Sequence, residues 1–147
     1  MNAQVRETVF GWNLDQVKRF LVNRWKYIES EADKLILEYR RFMILTLEHQ
    51  DQVVPVSDAV DEVWHAHLLF TEDYPKFCQA VAGEYLHHRV PADEKERLAL
   101  ASSYSNTKAL YQEAFGNLDP SVWGQQDQIC WCETITEDRS RKRLLVV

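Results

Sequence analysis

Residues Val60 to Pro91 read VDEVWHAHLLFTEDYPKFCQAVAGEYLHHRVP and hold four of the chain's five histidines. Ser57 just upstream is a good N-cap, and Val60, Val63, Trp64 and Leu68 recur at helical spacing, so 58–70 reads as an amphipathic helix. Thr71 reads as the cap of a second helix, with Glu72 and Asp73 in the first turn, where the dipole favours negative charge. Tyr74, Phe77, Cys78 and Val81 give that helix an apolar side, and Gly83 is a natural C-terminal stop. Two short helices meeting at Phe70 and Thr71 make a corner, and the corner decides the fold class: mainly α.

The same periodicity sorts the polar residues. Asp61 and His65 are four apart and share a helix face, so the carboxylate can reach the imidazole. His67 lies two residues on, rotated by roughly 200° about a helix of 3.6 residues per turn, and points away from His65. The HAH triplet is therefore no chelate on a helix. Glu84 to Val90 follows Gly83, and Pro91 disfavours α conformation at Val90 while suiting the first turn of a following helix. His87 and His88 are thus expected in a loop or helix-end segment that reaches back over the corner. The candidate cluster is Asp61, His65 and His88, with His87 or Cys78 as a further member.

Taken together, Asp61, Trp64, His65, Thr71, Tyr74, Phe77, Cys78, Gly83, His87, His88 and Pro91 resemble the motif of the glycine-rich-domain-containing-protein-like family. The likeness covers about a quarter of the chain and implies no particular reaction. The glycine-rich segment itself is missing, since the chain has four glycines, so functions of that segment are not implied.

Outward from this stretch, 147 residues with 46% hydrophobic and 12% aromatic content suit one domain with a sizeable core, spanning 1–147 around the 57–91 motif. A net charge of −6 argues against a nucleic-acid or anionic-membrane binder. No apolar run approaches the ~20 residues of a membrane span, and Met1 to Phe10 lacks the apolar centre of a signal peptide, so the expected location is cytoplasmic. Three cysteines, with Cys130 and Cys132 one residue apart, do not form a disulfide framework, which agrees with a reducing compartment.

Upstream, the first ten residues show little pattern. Asn13 is a capable N-cap, and Leu14, Val17, Phe20, Leu21, Trp25 and Ile28 predict a helix over 13–28. Ala32, Leu35, Ile36, Tyr39, Met43 and Leu47 predict a second long helix to about Glu48, with His49 at its end. Downstream, Pro91 to Glu94 opens a largely helical segment to Gly116, weakest over Ser102 to Thr107, and Asp119-Pro120 starts a single turn. Ile129 to Thr136 alternates weakly and is expected as a short strand with Leu144 to Val147 as partner. The basic residues Arg139, Arg141, Lys142 and Arg143 read as a solvated tail over 137–147. The whole is a compact domain of about five helices with a small C-terminal β element.

Three functions compete. Two histidines and a carboxylate suit zinc, iron or manganese and leave positions for water or a small-molecule substrate, giving a metal-binding protein or metalloenzyme. Asp61 then ligates directly or fixes the His65 tautomer. The same ligand types serve non-haem iron oxygenases on a different scaffold, an analogy only. Tyr74 is expected to donate a hydrogen bond at the rim of the metal site. In the second reading Cys78 is a nucleophile, His65 its base and Asp61 the orienting acid. Against it, a cysteine among Tyr74, Phe77 and Val81 is more simply a small hydrophobe. In the third, the Asp-His-His group is a structural polar cluster in a non-catalytic helical module that binds a protein partner. The Cys130-x-Cys132 spacing is unlike a zinc knuckle and favours a plain strand.

Overall fold

The computed structural model describes residues 3–124 and 133–135. The fold is mainly α, in the order α1 (Ala3–Gly11), α2 (Asp15–Asn23), α3 (Glu29–Glu48), α4 (Asp58–Leu69), α5 (Asp73–Ala82), β1 (His87–Arg89), α6 (Glu94–Ser102), α7 (Tyr104–Phe115), α8 (Pro120–Trp123) and β2 (Glu133–Ile135). The twenty-residue α3 is the axis, packing against α1, α2, α4 and α7. Its Tyr39, Phe42, Met43, Ile44 and Leu45 are at most 1% exposed, so α3 is buried on most of its circumference in its second half. Among the described residues no helix is long and apolar enough to cross a membrane.

Eight helical segments stand among the described residues, more than the five expected, and each difference has a local cause. The first, α1, carries little apolar pattern of its own. Arg40 of α3 donates to the carbonyls of Val9 and Trp12 at 2.9 and 2.8 Å, and Arg6 forks onto Glu48, so α1 is held from outside. Helix α2 stops at Asn23 instead of running to Ile28. Lys26 adopts a left-handed φ of 63° and the Tyr27 amide closes back on the Leu21 carbonyl at 3.0 Å. Trp25 and Ile28, assigned to the apolar stripe by periodicity, are in consequence 36% and 74% exposed. The segment expected from Pro91 to Gly116 is broken at Ser103 into α6 and α7, inside the stretch read as weak.

The central corner is as expected in outline. The Ser57 hydroxyl accepts the Val60 amide at 3.3 Å to cap α4, and Gly83, at φ 72°, ends α5 by donating its amide to Gln79. Thr71 is not the cap of α5: Glu72 holds that position without a side-chain bond, and Pro75 occupies the first turn, where its missing N–H costs nothing. A buried clamp ties α3 to the C-terminal helices. Glu38, 5% exposed, accepts the Tyr111 hydroxyl at 2.9 Å, the Trp123 indole N–H at 2.8 Å and Arg41 at 3.0 Å.

His87 and His88 lie on a strand, not in a loop or helix end. β1 pairs antiparallel with β2 in the register His87 to Ile135, His88 to Thr134 and Arg89 to Glu133. A strand near 129–136 was expected, but its partner is the histidine segment. Leu144 to Val147, the expected partner, lie outside the described residues, as do Cys130, Cys132 and the tail over 137–147.

Candidate metal centre

Two separate elements bring one cluster together. On α4, Asp61 and His65 are one turn apart, with His65 Nε2 3.2 Å from Asp61 Oδ2. From β1, His88 Nε2 stands 2.7 Å from the other oxygen, Oδ1. The three residues' ligating atoms all lie within 4.8 Å of one another. Burial is graded across the group: the Asp61 side chain is 4% exposed, His88 8% and His65 45%. The carboxylate is the floor, and His65 forms the edge that meets solvent.

The donor set fits a first-row divalent ion. Donors held tetrahedrally at ~2.0–2.1 Å from zinc are about 3.3 Å apart. The His65 separation of 3.2 Å stands close to that value, the His88 separation of 2.7 Å would have to widen to admit an ion, and both imidazoles present Nε2 inwards. Two nitrogens and one carboxylate oxygen are ligand types shared by zinc, iron and manganese sites. The surroundings are acidic as well: burial, with the Asp61 and Glu62 charges added, raises the Asp58 carboxyl above its usual range. A bound cation would relieve that repulsion.

The expected further members stand elsewhere. Consecutive strand residues face opposite ways, so His87 is turned from His88 and packs its ring against Tyr85 at 4.8 Å. Cys78 is fully buried, and burial pushes its thiol pKa up, the reverse of activation; the Leu86 backbone and Tyr74 hydroxyl only partly offset this. Tyr74 is 1% exposed and not at a rim. Its hydroxyl accepts the Trp64 indole N–H at 3.1 Å and donates to the Leu86 carbonyl at 2.6 Å, and burial raises its pKa well above the ordinary value.

His67 faces the opposite side of α4, as the helical rotation requires. It is fully buried between Tyr39 and Asp73: Nε2 donates to Asp73 Oδ2 at 2.7 Å, and Nδ1 accepts the Tyr39 hydroxyl, also at 2.7 Å. Trp12 donates to the same Asp73 oxygen at 3.1 Å, closing a chain across α3, α4, α5 and the α1–α2 connection. Burial lowers the His67 pKa despite Asp73, so this imidazole is neutral in the folded protein near pH 7. Sequence reasoning missed its partners, and also missed Trp64 as the wall of the candidate centre, whose ring lies 4.3 Å from that of His88.

A family model described as UCP032817-like matches residues 4–112, a span that includes Asp61, His65 and His88. The chain belongs to the UCP032817-like family. No curated protein and no solved structure matches it. The matched span holds nearly all of α1, then α2 to α6 with β1 and most of α7, so the three candidate ligands fall inside it. Outside it lie α8 and β2, the strand paired with the His88 segment.

Proposed function

We propose that this member of the UCP032817-like family is a metal-binding protein in which His65, His88 and Asp61 ligate one first-row divalent ion. The observation that carries the reading is the convergence of two imidazole Nε2 atoms, from a helix and from a strand, on the two oxygens of a single buried carboxylate. Burying a carboxylate is costly unless cations or hydrogen-bond donors answer it, and here the answer comes from two groups that are themselves metal ligands. The half-exposed edge at His65 leaves room for water or a small-molecule substrate. A bound zinc, iron or manganese would there act as a Lewis acid on water or a carbonyl oxygen. With both Nε2 atoms on the ion, Asp61 would supply the carboxylate oxygen of the ligand set, and Trp64 would exclude water from the His88 side. The resemblance of Asp61 to Pro91 to the motif of the glycine-rich-domain-containing-protein-like family supports a proposed kinship with it.

The second reading is a structural cluster, favoured by the His88 to Asp61 distance of 2.7 Å, which is also an ordinary hydrogen bond. Elemental mass spectrometry on untagged protein separates the two. About one equivalent of metal in the wild type, lost in His65→Ala and His88→Ala and weakened at least ~100-fold in Asp61→Asn, is the expected result. Metal-free protein that also refuses added zinc, iron and manganese sinks the metal reading.

A further inference from the structure

We infer that Tyr74 is a positioning residue for the candidate ligand His88, and that this accounts for a buried phenol one helix away from the centre. The inference rests on the metal-centre reading for its consequence, though not for its geometry. One hydroxyl makes two bonds that meet at His88 by different routes. It accepts the Trp64 indole N–H at 3.1 Å, and the Trp64 ring is the surface the His88 imidazole leans on, 4.3 Å away and tilted by 62°. It also donates to the Leu86 carbonyl at 2.6 Å, two residues before His88 on the chain that leads into β1. Ring and backbone of the ligand are thus referred to the same oxygen atom.

The strand alone is a poor anchor. β1 and β2 are three residues each, and a two-stranded ribbon of that length has little stability of its own. A slip of one residue would exchange His88 for His87 on the inner face. The Leu86 carbonyl, pinned by a side chain from α5, blocks that slip just before the strand begins. Leu86 is itself 2% exposed, so its side chain sits in the core while its carbonyl is held by Tyr74. Trp64 needs the same hydroxyl, because its N–H is buried with the ring. Tyr74 therefore holds the helix-borne wall and the strand-borne ligand in one arrangement, with Asp61 three residues before Trp64 on that same helix.

The test compares Tyr74→Phe with Tyr111→Phe, which also removes a buried hydroxyl bond, at the Glu38 clamp. Cobalt is titrated into metal-free protein and its visible absorption recorded. The expected result is about 10- to 100-fold weaker cobalt binding and an altered cobalt spectrum in Tyr74→Phe, with wild-type affinity and spectrum in Tyr111→Phe. Imidazole nitrogen NMR of the metal-free proteins gives a second readout: His88 signals move in Tyr74→Phe and stay in Tyr111→Phe. If the wild type takes up no cobalt while the His88 signals respond as stated, the metal reading fails and the positioning role stands. Unchanged affinity, spectrum and His88 signals in Tyr74→Phe overturn the inference, as does an equal loss of affinity in Tyr111→Phe. Should Tyr74→Phe not fold, Trp64→Phe, which keeps the Leu86 bond, is expected to shift the His88 signals by itself, and no shift refutes the role.

Discussion

The two histidines of the HAH triplet should respond to alanine in opposite ways, and the size of the difference follows from where α4 puts them. Replacing His67 removes a ring from a site with no solvent exposure. Large-to-small changes of buried aromatic side chains cost about 3–5 kcal/mol, and the smaller imidazole accounts for roughly 2–3 of that. The Tyr39 hydroxyl is then left buried without its acceptor, a further ~1–3 kcal/mol, while Asp73 keeps Trp12 and access to water. The sum, about 3–6 kcal/mol, corresponds to a fall in melting temperature of roughly 10 °C or more for a chain of this size. His65→Ala removes a side chain that is 45% exposed and leaves the Asp61 to His88 contact in place. Its cost in metal-free protein should stay within about 1 kcal/mol. Thermal unfolding followed by circular dichroism in the presence of a chelator measures both, and metal content of the untreated proteins completes the comparison. His67→Ala is expected to melt early, and His65→Ala to melt near wild type but without metal. Equal destabilisation by the two variants in chelator would refute the division of α4 into a structural face and a ligand face.

Three further outcomes test the surrounding structure. Glu38→Leu should cost about 2–4 kcal/mol in urea unfolding, because it strands the buried Trp123 N–H and leaves Tyr111 and Arg41 with only each other, yet leave metal content unchanged. Lys26→Gly should add about 0.5–1 kcal/mol of stability, read as a higher urea midpoint, since a left-handed φ of 63° strains a lysine and suits glycine. Burial lowers the His67 pKa, so the unfolded chain binds its proton first: the stability this residue contributes is complete above about pH 6.5 and is lost as pH falls from there through the lowered value. The difference in stability between wild type and His67→Gln should therefore shrink from pH 8 to pH 5, and a difference that grows towards acid contradicts the assignment.

What was legible in the sequence was local. Ser57 as cap, Gly83 as stop and the shared face of Asp61 and His65 each depend on residues within about one turn, where helix geometry leaves few alternatives. The exclusion of His67 from the cluster followed from the same rotation. Its partners did not, since Tyr39 is 28 positions away and is joined to it only by packing of α3 on α4. The strand character of His87 to Arg89 depends on a partner 44 or more residues downstream, and nothing within the histidine segment announces that pairing. Reading it as a loop kept His87 as a further member beside His88, where the strand's alternation turns the two apart. Tyr74 and Cys78 were assigned to the apolar side of α5 correctly. Giving them chemistry as well required exposure or a depressed thiol pKa, and burial supplies the opposite of both.

Helix α4 has to satisfy two demands at once, and its polar residues divide accordingly. A ligand face works only if the helix cannot rotate, because a turn of a few tens of degrees would carry Asp61 and His65 away from His88. The opposite face prevents this. His67 is bonded at both ring nitrogens, to α3 through Tyr39 and to α5 through Asp73, so rotation about the helix axis would break one buried and one part-buried hydrogen bond. Trp64, on the flank between the faces, is fixed by Tyr74 and in turn backs His88. The HAH triplet is thus one device read on two sides: the first histidine presents a nitrogen to the candidate centre, and the second locks the helix that presents it.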